Sequence, residues 1–133
     1  MKIVAVIARI LLGLIFFVFG LNGFVGFIPM PPLEGVAGAF IGALFSSHYL
    51  YLISGVQLIA GVLLLINRFV PLALAMLAPV LANILMYHAT MQPSGFPLAI
   101  FTTLLWAILV WAYRAHFVAL RSQGRGQVMP VIQ

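Results

Sequence analysis

Any chemistry in this chain has to come from a few polar side chains set in apolar surroundings: Asn22, Glu34, His48, Gln57, Asn83, Tyr87 and His88. At helical spacing Asn83, Tyr87 and Thr90 share one face, His88 lies about 100° round from Tyr87, and Ser54, Gln57 and Gly61 form a second stripe. Amide, imidazole and phenol groups donate and accept hydrogen bonds, so together they would recognise a carbonyl-bearing lipophilic head better than an ion. The same groups serve as hydrogen-bonding links between helices, worth about 0.6 kcal/mol each on average. Both readings place these residues on inward faces, because hydrocarbon offers a polar group no partner.

Other chemistries lack their residues. Glu34 is the one acid, which leaves no carboxylate pair and no Ser-His-Asp set, so no catalytic residue is assigned. The absence of cysteine removes disulfides, thiol exchange and thiolate metal sites. His48 and His88, with Met30, Met86 and Met91, have neither paired spacing nor a neighbouring acid, so no metal or haem site is read from them. No cofactor is required by any motif. His116 reads as interfacial.

The elements that must position these groups are apolar helices. Of 133 residues 65% are hydrophobic and 5% charged, and the mean hydropathy is +1.27. A water-soluble domain carries about a quarter charged residues, so lipid is the solvent for most of this chain. The fold expected is all-α, an integral membrane four-helix bundle forming one domain over 1–120. Its spans fall at about 3–27, 49–66, 71–90 and 96–113, each near the ~20 residues needed to cross hydrocarbon. The first run, from Ile3, contains Arg9 and is too long for a cleaved signal peptide. Pro29, Pro31 and Pro32 end it, and Pro79 lies inside the third span. A short helix at about 33–45 carries Gly35, Gly38 and Gly42, and is expected to lie in the interface or dip between spans 1 and 2 as a re-entrant element. Residues 121–133 are expected to form a basic, partly disordered cytoplasmic tail.

Charge sets the orientation. Four spans put Lys2, Arg9, Arg68, Arg114, Arg121 and Arg125 on one side and Glu34 on the other. By the positive-inside rule both termini are cytoplasmic, and the net charge of +5 reports membrane topology rather than nucleic-acid binding. Arg9 has two readings. A cation in mid-span costs about 2.5–3.5 kcal/mol on insertion scales, less when it reaches the headgroups, so it is either a snorkelling topology signal or a charge facing an internal anionic or quinone-like group. Its face continues through Gly13, Phe16, Gly20 and Gly23, which invites close approach of another helix.

The order of elements resembles the DoxX family. The resemblance rests on Arg9-x3-Gly13-x2-Phe16 leading into Phe19-Gly20-Leu21-Asn22-Gly23-Phe24, the Ile28-Pro29-x-Pro31 turn, Leu63-Leu64-Leu65 before Asn67-Arg68-Phe69, Ala78-Pro79-x3-Asn83-x4-His88, and Tyr113-Arg114. It covers about Lys2 to Leu120. It implies a four-helix bacterial inner-membrane protein. Relatives are described as membrane partners of oxidoreductases, including thiosulfate:quinone oxidoreductase and an assembly linked to oxidative-stress defence. The fold is also similar to quinone-linked thiol oxidoreductases, from which this chain departs in having no cysteine.

Two functions are therefore expected. The first is a non-catalytic membrane subunit or scaffold supporting an oxidoreductase or stress-response partner, with the lipid bilayer and a second copy of the chain as further partners. The alternative is a binder of quinone or another lipophilic molecule in an outer-leaflet polar pocket. That pocket would be built from Asn22, Gln57, Asn83, Tyr87 and His88, with Glu34 and His48 placed to close it. Arg9, Arg68 and Arg114 would mark the opposite end.

Overall fold

The computed structural model describes residues 2–28 and 33–123. Every regular element among them is helical: α1 (Lys2–Val25), α2 (Gly35–Ser46), α3 (Tyr49–Leu65), α4 (Val70–Thr90), a single 3₁₀ turn (Pro93–Gly95), α5 (Phe96–Ala112) and α6 (Arg114–Gln123). At about 1.5 Å per residue, α1, α4 and the unit Pro93–Ala112 are about 30 Å or longer, and their apolar composition fits them to cross a membrane. α3 has 17 residues, about 25 Å, and falls short of a full span by itself. It is joined to α2 through a bend of 86°, so the number of crossings is three, or four when the bent pair counts as one.

Local chemistry sets these limits. α1 stops at Val25 because Gly26 takes a left-handed φ of 68°, and its N–H donates to the Asn22 carbonyl at 2.7 Å. The Asn22 side-chain oxygen accepts the Ile28 N–H at 2.7 Å and fixes the chain just beyond the helix. The first helix thus ends two residues before the expected limit of 3–27 and begins one residue earlier. Pro29 to Pro32 lie outside the described residues. The α2–α3 bend falls where His48, at φ 61°, breaks the helical run. The α3–α4 turn needs two further left-handed residues, Asn67 and Phe69. Beyond α5 the chain turns at Tyr113 and re-enters helix as far as Gln123, so the expected tail begins inside α6, and residues 124–133 lie outside the described residues.

α1 packs most extensively on α3 and also touches α5, while α3 meets α4 and α4 meets α5. The α1–α3 contact is backbone against backbone. A Cβ on Gly20 would lie 2.6 Å from the Leu58 nitrogen, and one on Gly61 would lie 2.6 Å from the Phe17 nitrogen. Leu12 and Phe16 of α1, Leu64 of α3, Leu74 and Leu77 of α4 and Leu109 of α5 fill the interior. Trp106 ties α5 to α4 by donating its indole N–H to the Leu74 carbonyl at 2.9 Å. The outer faces are as apolar as the core: Leu52, Leu104 and Met86 are each more than half exposed, at 62%, 57% and 62%. A surface of this kind fits a lipid bilayer, and the chain is an integral membrane protein.

Arg9 donates from one guanidinium nitrogen to the carbonyls of Leu64 and Leu65, the latter at 3.3 Å. These are among the last carbonyls of α3, at the negative end of the helix dipole, and the Leu64 carbonyl also accepts the Asn67 N–H at 3.3 Å. The arginine therefore caps a neighbouring helix, a role outside the two readings drawn from sequence. Arg68 is exposed in the α3–α4 turn.

Gly20→Ala is expected to lower stability in detergent by about 1–3 kcal/mol, because the new methyl meets the Leu58 backbone, which cannot turn aside. Gly42→Ala, which meets nothing within 4 Å, is expected to be neutral or mildly stabilising. Thermal unfolding of both variants checks the contrast, and equal behaviour would contradict the packing.

Candidate functional site

At the end of the molecule away from Arg9, α1 and α3 face α4 and α5 across small residues, and a cavity of about 700 Å³ opens between them. Gly23, Ser54, Gly95, Ala99 and Thr102 supply the space, and Phe16, Phe19, Phe24, Ile53, Ile84 and Leu98 supply apolar walls. Ile41 and Phe45 of α2 contribute as well, because the bend before α3 brings the short helix across this end.

Three of the residues expected from sequence meet here: Asn22, Gln57 and His88, one each from α1, α3 and α4. Asn22 uses its oxygen on Ile28, which leaves its NH₂ group as the available donor. Gln57 is half-buried, and no hydrogen bond joins its side chain to another protein group among the described residues. Its carbonyl and NH₂ are both free. His88 places Nδ1 2.8 Å from the Gln92 carbonyl. A carbonyl only accepts, so Nδ1 carries the proton and Nε2 of the neutral ring is an acceptor. The ring is held on one side by Gly95, where a Cβ would collide with it, and on another by Tyr87 edge-on at 5.0 Å.

The hydroxyl-bearing side chains Tyr51, Ser54 and Thr102 complete the lining. Ser54 is 2% exposed and lies against Gly23, where a Cβ would overlap its Oγ. Thr102 donates to the Leu98 carbonyl at 2.9 Å and keeps its lone pairs. No Lys, Arg, Asp or Glu is among the lining residues. The cavity therefore offers amide donors and neutral acceptors inside apolar walls. Among the described residues no three His, Cys, Asp or Glu side chains cluster as metal ligands.

The remaining expected residues do not line it. Asn83 is exposed and donates to the Pro79 carbonyl of its own helix at 3.0 Å. The reason is azimuth: Asn83 precedes His88 by five residues, about 140° round the helix, whereas Ile84 precedes it by four and shares its face. Tyr87 packs against Phe40 at 5.7 Å and supports His88 from outside the cavity. Glu34 is exposed at the N-terminus of α2 and His48 is exposed at the bend, stacked on Tyr51 at 5.8 Å, so neither closes the site. Phe45 and Ile41 stand there instead. Thr102 escaped the sequence reading, although Thr102-Thr103 is the one polar pair in the run 96–112 and marked an inward face.

No family model, curated protein or solved structure matches the chain. The resemblance to DoxX proteins thus rests on the sequence elements alone.

Asn22→Ala removes the acceptor of the Ile28 N–H, and is expected to cost about 1 kcal/mol and to speed exchange of that amide. Amide exchange in detergent micelles checks it; unchanged protection at Ile28 would remove Asn22 from the α1 exit turn.

Proposed function

We propose that the protein is a DoxX-like four-helix membrane protein that holds a neutral lipophilic molecule with a carbonyl-bearing head, of quinone type, in this cavity. The observation that carries the proposal is the convergence of Asn22, Gln57 and His88 from three helices on one uncharged, apolar-walled space. Its volume lies within the range of about 300–1,000 Å³ common to small-molecule sites. The free NH₂ groups of Asn22 and Gln57 suit the carbonyl oxygens of such a head, and Nε2 of His88 suits the hydroxyl of its reduced form. Absence of charge favours a neutral ligand, since an ion here would lack a counter-charge.

The sequence of contacts α1–α3–α4–α5–α1 supports a four-helix bundle, with the bent α2–α3 pair as one crossing. Lys2, Arg9, Asn67 and Arg114 border a second cavity at the other end, which supports a single basic side and hence cytoplasmic termini under the positive-inside rule. The DoxX resemblance adds the bacterial inner membrane and an oxidoreductase partner. In this reading the chain is the non-catalytic subunit that presents the lipophilic co-substrate, and the partner supplies the redox chemistry.

Binding of a short-chain benzoquinone to the full-length protein in mild detergent tests the site. Gln57→Leu and His88→Leu are each expected to weaken binding about tenfold, the loss of one hydrogen bond together with a partner left unpaired. Asn83→Ala is expected to leave it unchanged, because that side chain bonds only its own helix. Equal affinity in all three variants would dismiss the cavity. Failure to bind together with co-purification of a soluble oxidoreductase would leave the scaffold function alone. For topology, a fluorescent-protein fusion at the C-terminus is expected to fluoresce in the cytoplasm; a periplasmic C-terminus would contradict the charge argument.

A further inference from the structure

The second cavity, about 460 Å³, carries a different chemistry from the first. Lys2 and Arg9 of α1, Asn67 of the α3–α4 turn, Trp111 at the end of α5, Tyr113 and Arg114 all border it. Three of these six side chains are cationic and none is acidic. The one acid of the chain, Glu34, stands at the start of α2 and does not line this cavity.

Two of the cations are held in place. Arg9 is fixed by the α3 carbonyls through a single nitrogen, which leaves its second terminal nitrogen and Nε as donors. Arg114 is held by the Trp111 carbonyl at 2.8 Å and lies 4.4 Å from the centroid of the Trp111 ring, again with donors to spare. Lys2 is exposed and adds a mobile charge from the first residue of α1. Like charges gathered in a concave space repel unless an anion joins them, and forked guanidinium donors match the oxygens of a phosphate.

We propose that this cavity binds a phosphate group, and its position favours the headgroup of an anionic phospholipid. The start of α1, the end of α3 and the end of α5 meet here, so the cavity lies where the helices leave the hydrocarbon. Trp111 is 59% exposed beside it, as aromatic side chains are at headgroup depth. Apolar side chains of α1 run outward from its mouth, with Ile3, Val6 and Ile10 exposed along the helix, and give acyl chains a surface to follow. The site would anchor this end of the protein to the charged leaflet, independently of any ligand in the opposite cavity.

The test is native mass spectrometry of the full chain released from bilayers of equimolar phosphatidylglycerol and phosphatidylcholine. Phosphatidylglycerol adducts are expected to dominate. Lys2→Gln and Arg114→Gln are each expected to reduce them about fivefold, the effect of one basic residue at an anionic surface. Arg9 is left intact because α3 needs it, and Lys2→Gln alone suffices should Arg114→Gln fail to fold. Adducts that survive millimolar inorganic phosphate identify the lipid headgroup as the occupant. Displacement by inorganic phosphate identifies free phosphate and still upholds the site. Equal retention of the two lipids, or phosphatidylglycerol retention unchanged in the variants, overturns it.

Discussion

The close approach of α1 and α3 is the contact on which the rest of the molecule depends. In lipid there is little hydrophobic gain in bringing two helices together, since acyl chains solvate apolar side chains as well as a neighbouring helix does. Association must come from dense packing and from polar links, and both require backbones at short range. Gly20 against Leu58 and Gly61 against Phe17 provide that range. Once the two backbones meet, Arg9 can reach across to the Leu64 and Leu65 carbonyls and neutralise the end of α3. A bulkier side chain at either glycine would separate the helices and take the donor from its acceptors.

The same contact explains why the cavity is where it is. α1 and α3 are locked along the middle and at the basic end, where large aliphatic side chains from α4 and α5 fill the interior. Toward the other end the facing residues shrink to Gly23, Ser54, Gly95, Ala99 and Thr102, and the helices leave room between them. The two ends have thus divided the polar groups of the chain. Neutral amides and an imidazole are kept in the apolar cavity, and cations are kept where the helices emerge. In the proposed functions each set would suit a ligand the other would reject: a carbonyl head at one end, a phosphate at the other.

Much of this was legible in the residues. Apolar runs broken by proline, glycine and polar turns located the helices, because hydrocarbon demands them. The Arg9-Gly13-Gly20-Gly23 face was readable as a packing face, since only small residues allow such proximity. Asn22, Gln57 and His88 were readable as inward because each is costly to expose. What sequence could not supply was rotation and local termination. Asn83 was expected to face inward with His88, yet lies about 140° round the helix and satisfies itself on Pro79. The short α3 depends on His48 adopting a left-handed conformation, which no pattern of hydropathy encodes. The capping of α3 by Arg9 needs knowledge of a neighbour 55 positions away in the chain.

The most direct measurement of whether the cavity lined by Asn22, Gln57 and His88 holds a ligand is site mapping with a photoreactive quinone analogue in lipid nanodiscs. Covalent label is expected on cavity-lining residues of separate helices, such as Phe16, Ile53 and Ile84. It is expected to be competed away by unlabelled quinone. Label confined to outward positions such as Leu52 and Leu104, and insensitive to competitor, would show the analogue dissolved in the surrounding lipid and would contradict a binding site in the protein.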